Sequence, residues 1–234
     1  MRKVSGCLHL ASHAVISNVW LFEDQTGRRY LVDTGHPLER PQLVAQLRRH
    51  GIAGPGDLAG ILLTHRHSDH AGNAAAFRER FRCPVICHEA DAAFLTGEAT
   101  PPKMVVPGRP WAALPLCHIE DRWPARTAVD DTFAAGVWGG DWRIHHVPGH
   151  TEGSCMLFHT PTATLFSGDA ILAGIPPLRA FTYIRLAQDA FSQDAPRCHD
   201  GVRRFVATMP AVRALCSGHG PGVVTRVEER LRRL

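Results

Sequence analysis

Residues 64–70 read Thr64-His65-Arg66-His67-Ser68-Asp69-His70 and follow the apolar run Ala59-Gly60-Ile61-Leu62-Leu63. These seven residues hold four side chains that bind metals well, three imidazoles and one carboxylate. Imidazole and carboxylate are the usual ligands of Zn²⁺ and of other borderline divalent metals. Without a metal, burial would desolvate these groups at a cost, and protonated histidines would repel one another. The stretch therefore predicts a metal site directly after a buried strand.

Composition places the chain among ordinary globular proteins. Of its 234 residues, 44% are hydrophobic and 21% are charged, which is enough apolar material for a sizeable core. The net charge of +4 is small and spread along the chain, so nucleic acid is not an expected partner. The seven cysteines are odd in number and lack zinc-finger spacing, which favours buried free thiols in a reducing compartment. The N-terminus does not resemble a signal peptide and no apolar run has membrane length, so we expect a cytoplasmic protein without a membrane partner.

Hydrophobic periodicity predicts strands that alternate with helices. In the first half, short β-type runs such as Arg29–Val32 are followed by patterns of helical spacing, and residues 25–27 predict a hairpin turn. The second half reads as strands followed by helices. This order predicts an α/β (α+β) fold with two mixed sheets and helices outside them, in a single domain over residues 1–234. The predicted helices span residues 37–50, 71–81, 89–95, 201–209 and 223–234.

Two segments carry no regular pattern. Residues 96–131 contain six prolines, which excludes a continuous helix. Residues 173–195 also lack a recognisable motif. Irregular segments of this length in compact domains are usually functional. We therefore predict that both segments line the substrate pocket or close over it.

Further metal-capable side chains stand where apolar runs end, three of them directly preceded by glycine. Polar residues at strand ends can converge along one edge of a sheet layer, where active-site loops tend to lie. We therefore expect them to meet the histidines of residues 64–70. The side chains placed in this way are Asp33, His150, Asp169 and His219.

In this order the residues resemble the metallo-β-lactamase superfamily of metal-dependent hydrolases, in its glyoxalase II and lactonase-like branch. The resemblance covers about residues 15–225 and implies an αβ/βα four-layer sandwich, with the metal site at one edge of its two sheets. The motifs that carry it are Thr64–His70, Pro148-Gly149-His150-Thr151, Ser167-Gly168-Asp169 and Gly218-His219-Gly220.

The resemblance also implies a role for each ligand position. It implies two divalent metal ions, foremost Zn²⁺, although such donors also accept iron or manganese. Asp33 would accept hydrogen bonds and fix the ligand loop, and an ordinary turn residue is the competing interpretation. The implied ligands are His65, His67 and His150 for one metal, Asp69, His70 and His219 for the other, and Asp169 as the bridge between them.

By the same resemblance, the chain is expected to hydrolyse an ester, thioester or lactone of a small molecule. Two metals about 3.5–4 Å apart share a hydroxide, whose parent water has its pKa lowered towards ~7, and this hydroxide attacks the carbonyl. Asp69 is the predicted catalytic side chain, which would orient the hydroxide. His36 and Tyr183 are candidates for the substrate pocket, with packing as the alternative role of Tyr183.

The sequence leaves other functions open. The main alternative is a mononuclear iron enzyme that resembles the persulfide dioxygenases of the superfamily. An aspartate stands at 169, near where antibiotic-degrading lactamases use a cysteine, and no large insertion of the nuclease type is present. Only 15 residues follow His219, so the glutathione-binding region of glyoxalase II itself is not expected. A non-catalytic binding module is disfavoured because every ligand position is filled, and a homo-oligomer is compatible with the sequence.

Overall fold

A computed structural model describes the backbone of residues 3–4 and 7–10 and all atoms of residues 16–103, 120–174 and 183–234. Its strands form two main sheets and one short pair. The first sheet contains, in spatial order, β1 (Lys3–Val4), β2 (Cys7–Leu10), β3 (Val19–Glu23), β4 (Arg29–Val32), β5 (Gly60–Leu62), β6 (Val85–His88) and β7 (Asp131–Phe133). The second sheet contains, in spatial order, β14 (Ala214–Ser217), β11 (Thr164–Gly168), β10 (Cys155–His159), β9 (Trp142–His146) and β8 (Gly136–Trp138). The short pair joins β12 (Ile171–Leu172) to β13 (Arg185–Leu186).

Helices lie between and after these strands. Short 3-10 turns span Pro37–Glu39 and Asp189–Phe191, and residues 120–122 are also helical. Among the described residues, no helix has both the length and the apolar character needed to cross a membrane. The α-helices are α1 (Arg40–Arg49), α2 (Ser68–Ala71), α3 (Ala74–Phe81), α4 (Glu89–Thr96), α5 (Ala195–Thr208) and α6 (Val227–Leu231).

Three separate hydrophobic clusters show that these elements stack in four layers. The first cluster joins α1, α3 and α4 to the first sheet and includes Leu47, Phe77 and Ile61. The second lies between the two sheets, where the ring centroids of Phe22 and Phe166 are 5.7 Å apart. The third joins the second sheet to α5 and α6. The αβ/βα sandwich expected from the sequence is confirmed, while the single domain over the whole chain stays a prediction.

One edge of the sandwich collects the ends of several strands. β4 pairs with β5, and β11 with β14, in parallel, so each pair ends at a common edge. The two sheets meet there through Asn18, whose Nδ2 donates to the carbonyls of Ser217 and Gly220 at 2.8 and 2.6 Å. The indole of Trp20 also donates to the Ser217 carbonyl, at 3.1 Å. The loops after β4, β5, β11 and β14 therefore leave the sheets close together.

The opposite end of β3 and β4 is closed by the hairpin turn that residues 25–27 predict. Asp24 Oδ1 accepts from the backbone nitrogens of Thr26 and Arg28 at 2.8 and 2.9 Å, and from the Thr26 hydroxyl at 2.7 Å. Gly27 has a φ of +82°, in the left-handed region that glycine adopts without strain. Asp24 is therefore a buried turn carboxylate at the far end of both strands from the ligand loops.

The helix predicted over residues 71–81 is divided in the structure, because α2 ends and α3 begins on either side of a break. Asn73 lies at this break, and its Nδ2 donates to the carbonyls of Thr34, Gly35 and His36 at 2.9, 3.0 and 3.0 Å. The amide thus anchors the loop after β4 to the ligand loop. The sequence pattern shows the helical periodicity but not this long-range contact.

Two later helices also differ from their predicted limits. α5 begins six residues before the predicted start at 201, because the Asp194 side chain accepts from the backbone nitrogen of Arg197 at 3.0 Å and caps the helix. α6 has five residues, fewer than the predicted 223–234. Val223 pairs instead with Leu215 in an antiparallel bridge. Tertiary pairing with the sheet thus overrides the local helical pattern.

Parts of both predicted pocket segments lie outside the described residues, namely 104–119 and 175–182. In the described remainder of the first segment, Trp123 is 66% exposed. The described remainder of the second contains β13 and the turn at Asp189–Phe191, and it ends where α5 begins. The roles of these segments at a substrate pocket stay predictions.

Candidate metal centre

The segment from the end of β5 through α2, which we call the ligand loop, carries the first four candidate ligands, two of them before α2 and two within it. At its start the backbone nitrogen of Leu63 donates to the Ile86 carbonyl at 2.9 Å, which extends the sheet into the loop. His67 is the last residue before α2. The three histidines of the loop are 5% exposed or less, whereas the Asp69 side chain is 23% exposed. The turn into α2 therefore buries the imidazoles and leaves the carboxylate towards solvent.

The structure brings all seven candidate ligands into one cluster. Their donor atoms form three groups, and within each group every atom lies within 4.8 Å of the others. We call His65, His67 and His150 the nitrogen group, and Asp69, His70 and His219 the mixed group. A third group, His65, His70 and Asp169, shares members with both. The assignment of these side chains as ligands stays a prediction.

Asp169 lies between the nitrogen group and the mixed group. Its Oδ2 is 3.1 Å from His219 Nε2 and 3.7 Å from His150 Nε2, and its Oδ1 is 3.3 Å from His70 Nε2. Within the mixed group, Asp69 Oδ2 is 3.4 Å from both His70 Nε2 and His219 Nε2. Asp169 therefore contacts both groups, as a bridging carboxylate must.

Asp33 and Thr64 orient two of the histidines. Asp33 accepts from the backbone nitrogen and the hydroxyl of Thr64, both at 2.8 Å. Because the Thr64 hydroxyl donates to Asp33, it accepts from His65 Nδ1 at 3.1 Å. Asp33 Oδ2 also accepts from His70 Nδ1 at 2.9 Å. In both rings a proton therefore sits on Nδ1, which leaves Nε2 to face the cluster.

A serine orients the third ring in the same way. Ser192 donates its hydroxyl proton to the Gln188 carbonyl at 2.7 Å, so its oxygen accepts from His150 Nδ1 at 3.0 Å. His150 Nε2 is thereby left with its lone pair. The three rings thus present the same nitrogen to the centre, although they come from different parts of the chain.

These donor atoms fit a divalent metal. His65 Nε2 and His150 Nε2 lie 3.2 Å apart. Because each ring carries its proton on Nδ1, each of these Nε2 atoms carries a lone pair. Two lone pairs at this distance repel unless a cation lies beside both. Among the described residues, His67 Nε2, His70 Nε2 and Asp169 Oδ1 are buried without a hydrogen-bond partner, which is costly for polar atoms. A metal would satisfy all five atoms, so the cluster supports divalent metal binding.

Burial keeps the nitrogen group neutral. Desolvation, together with the neighbouring histidines, holds the pKa of His65 well below its usual range. Desolvation, His150 and Arg66 do the same to the pKa of His67. Desolvation lowers the pKa of His150 to about 4, even though Asp169 opposes the shift. Neutral imidazole is the form that coordinates a metal.

In the mixed group the attraction of neighbouring carboxylates outweighs burial and favours charged histidines. Burial disfavours charge on its histidines, but carboxylates outweigh it and hold the pKa of His70 well above its usual range. In the same way, Asp169 and Asp69 raise the pKa of His219 to about 9. Burial also disfavours the Asp169 carboxylate, yet His219 and His70 hold its pKa well below its usual range. A proton and a metal are alternative occupants of the same ring nitrogens.

Two glycines allow the strand ends to approach the cluster. Gly168 has a φ of +50°, and a Cβ there would lie 2.5 Å from the Thr64 hydroxyl. At Gly218 a Cβ would collide with the Asp169 carboxylate and lie 2.7 Å from His70 Cε1. A larger side chain would displace Thr64, which orients His65, at the first position and the candidate ligands Asp169 and His70 at the second, which explains the glycines that precede Asp169 and His219.

The two residues predicted for the substrate pocket lie in different settings. His36 Nδ1 accepts from the backbone nitrogen of Leu38 at 3.3 Å and so caps the 3-10 turn. Tyr183 is 43% exposed, and the Arg185 guanidinium lies 6.0 Å from its ring centroid. For neither does the described part of the chain show a hydrogen bond to the ligand cluster. Their roles at a pocket stay predictions.

Nothing in the sequence marks several side chains that support the cluster. Glu120 Oε2 accepts from the backbone nitrogen of Ser68 at 2.8 Å, at the start of α2, and burial raises the pKa of this carboxyl to about 7. The Ser17 hydroxyl donates to the Asp69 carbonyl. Glu120 and Ser192 lie 52 and 42 residues from their partners in the chain. Single acids and serines of this kind have no local pattern, so only the fold identifies them.

Comparison with known proteins agrees with this geometry. A family model described as the metallo-beta-lactamase superfamily matches residues 14–222. The probable metallo-hydrolase YybB of Bacillus subtilis is 29% identical over 65% of this chain and 63% of its own length. A hydroxyacylglutathione hydrolase of Pseudomonas aeruginosa is 32% identical over 66% of this chain and 47% of its own length. The acyl-coenzyme A thioesterase MBLAC2 of Gallus gallus is 31% identical over 68% and 58%. The chain thus spans about half to two thirds of these relatives.

Solved structures show the same fold. TTHA1623, crystallised in a di-iron-bound form, aligns with a TM-score of 0.64 and 24% identity over 92% of this chain and 93% of that one. The BLEG-1 B3 metallo-beta-lactamase aligns with a TM-score of 0.64 and 22% identity over 95% of each chain. The matched residues 14–222 contain all seven clustered side chains. The chain therefore belongs to the metallo-beta-lactamase superfamily.

Proposed function

We propose that the chain is a dinuclear metal-dependent hydrolase that cleaves an ester, thioester or lactone of a small molecule. The observation that carries the proposal is the convergence of seven donor side chains, with Asp169 in contact with both the nitrogen group and the mixed group. The nitrogen group would hold one metal, the mixed group the other, and Asp169 would join them. Zn²⁺ is the metal we expect first, and iron or manganese suits the same donors.

The chemistry of such a site does not need a serine or cysteine nucleophile. Two divalent metals held by these groups would lower the pKa of a water and polarise a carbonyl oxygen. The chain's own part is to keep each ligand ring in one orientation. Asp33, Thr64 and Ser192 do so through the Nδ1 atoms of three histidines.

Asp69 is the side chain to which we assign the orientation of the attacking water. Its Oδ2 lies 3.4 Å from the ring nitrogens of His70 and His219, and its side chain is 23% exposed while that of His70 is fully buried. The carboxylate thus stands at the solvent side of the mixed group, where a substrate would enter. There its Oδ1 would accept a hydrogen bond from the attacking water and orient it towards the carbonyl carbon.

The names of two relatives favour an acyl bond. Hydroxyacylglutathione hydrolase and acyl-coenzyme A thioesterase label proteins that are 32% and 31% identical to this chain over about two thirds of it. For this chain these names support transfer of an acyl group to water as the reaction class. Thioesters and esters are therefore the first bonds to test, followed by lactones.

Elemental analysis of the purified protein, followed by assays on thioesters, esters and lactones, tests the proposal. We expect both metals to be bound and at least one bond class to be hydrolysed. In Asp69→Asn, activity should fall by about 10²-fold or more, the effect expected when the attacking group is no longer held in position. The control variant Asp24→Asn alters a carboxylate at the far end of the sheet and should keep full activity. A single bound iron with thiol-dependent oxygen uptake, and no hydrolysis, would support the mononuclear iron alternative instead.

A further inference from the structure

Asp91 on α4 joins two loops that carry ligands. Its carboxylate is fully buried and accepts from the backbone nitrogen of Arg66 at 3.0 Å, the hydroxyl of Thr151 at 2.8 Å and the backbone nitrogen of Gly153 at 2.9 Å. Arg66 stands between two histidines of the nitrogen group, and Thr151 directly follows the third. One carboxylate therefore holds the backbones on both sides of this group.

The Arg66 side chain makes a second connection between the same two loops. It is 3% exposed, with Nε 3.6 Å from Asp91 Oδ1 and Nη2 3.2 Å from Glu152 Oε2. Its guanidinium carbon lies 5.1 Å from the ring centroid of Phe94, which adds a cation–π contact. A buried charge of this kind is stable only when it is paired and hydrogen-bonded; Asp91 supplies the buried opposite charge, and Glu152 accepts the hydrogen bond from Nη2.

The local backbone is built around the Asp91 carboxylate. A Cβ at Gly153 would lie 2.5 Å from Asp91 Cγ and 2.7 Å from Asp91 Cβ. Such distances are not reached by real side chains, so the loop after His150 can approach α4 only with glycine at this position. The close approach is what lets the Gly153 nitrogen donate to the carboxylate.

The mixed group has different supports. Asp33 holds the ring of His70 through Nδ1, and the Ser17 hydroxyl donates to the backbone carbonyl of Asp69. The hydrogen bonds of Asp91 go to residues beside the nitrogen group. Asp91 therefore supports only the nitrogen group, whereas Asp33 contacts the mixed group directly and reaches His65 of the nitrogen group only through Thr64.

We propose that Asp91 is a positioning residue that couples the two loops of the nitrogen group and so sets the metal affinity of that group. The inference rests on the proposed function, because it requires a metal at the nitrogen group. Its distinctive consequence is selectivity. Loss of the Asp91 contacts should weaken metal binding at the nitrogen group and leave metal binding at the mixed group unchanged.

The test is metal competition with a graded series of chelators, using the full chain loaded with Zn²⁺ or with Co²⁺, whose absorption spectrum reports each site. In Asp91→Asn the side chain keeps its size but loses its charge and one acceptor oxygen. We expect the affinity of the nitrogen group for its metal to fall by about 10–100-fold, so that a weaker chelator removes that metal. This is the usual effect of losing a residue that positions metal ligands. The other metal should be released as in the wild type.

Two further variants make the result specific. Asp24 is a matched control, because it too is a buried carboxylate that accepts from two backbone nitrogens and a threonine hydroxyl. Asp24→Asn should therefore release both metals as the wild type does. Thr151→Val removes only one contact of Asp91 and should give a smaller, equally selective loss, which provides a readout even where Asp91→Asn does not fold.

Each outcome decides the inference. A loss of metal affinity confined to the nitrogen group, in Asp91→Asn or Thr151→Val, supports it. The inference is overturned if both variants release both metals as the wild type does. It is also overturned if the affinity for both metals falls equally, as expected from a general loss of stability. Either result leaves the proposed function standing. A wild-type protein that retains no metal at neutral pH overturns both.

Discussion

The nitrogen group and the mixed group are adjacent halves of one cluster, yet they differ in burial and charge. His67 and His150 are 5% and 1% exposed, whereas the side chains of Asp69 and His219 are 23% and 15% exposed. Desolvation depresses the histidine pKa values of the nitrogen group. In the mixed group carboxylates outweigh desolvation and raise them. The same edge of the fold thus builds two sites of different character.

This difference follows from where the strands end. The nitrogen group lies on two loops that Asp91 of α4 joins, and burial there leaves neutral imidazole as the stable form. The mixed group lies towards solvent, where its two carboxylate neighbours stabilise charge on the rings. A buried group of neutral donors suits a permanently held metal. An open group with a partly exposed carboxylate suits contact with a substrate.

The largest expected effect comes from Asp169→Ala, because Asp169 contacts both groups. Its loss leaves His70 and His219 with only one of the two carboxylates that face their Nε2 atoms, Asp69. We expect the variant to lose both metals and to lose activity by more than about 100-fold, beyond the range for a partner that only orients a ligand. Elemental analysis and hydrolysis assays on the same preparation measure this. Unchanged activity would refute the site.

His150→Ala and His219→Ala form a pair that separates the two groups. Each removes one ring from a different group and leaves the other group complete. We expect each variant to retain one metal, and the retained metals to differ in the Co²⁺ absorption spectrum, since only the mixed group contains its own carboxylate. Activity should fall strongly in both, because the proposed reaction uses both metals. Two variants with the same spectrum would show that the groups are not separate sites.

Much of the side-chain cluster could be predicted from the sequence because its signals are local. The four side chains in Thr64–His70 are adjacent, and Asp169 and His219 follow glycines at the ends of apolar runs. Strand ends at a common edge bring such residues together. Periodicity likewise gave the layers of the fold, because each strand and helix must bury one face.

The supporting contacts could not be predicted, since they join distant parts of the chain. Asp91 stands 60 residues from Thr151 and looks like an ordinary acid in the first turn of a helix, where such residues are common. The shortness of α6 has the same origin, because it depends on a strand pairing, whereas the start of α5 depends on a local cap, the contact of Asp194 with Arg197 three residues later. Nothing in residues 223–234 indicates that Val223 pairs with Leu215.

A smaller effect is expected from Asp33→Asn, which tests the mixed group as Asp91→Asn tests the nitrogen group. Asp33 has a φ of +59°, which asparagine tolerates, so the backbone should hold. The amide loses the charge that holds His70 Nδ1 at 2.9 Å. We expect metal binding at the mixed group to be about 10–100-fold weaker. The effect on metal binding at the nitrogen group should be smaller, because Asp33 reaches His65 only through Thr64. Chelator competition on both variants should give opposite patterns, and a shared pattern would mean that the cluster behaves as one site.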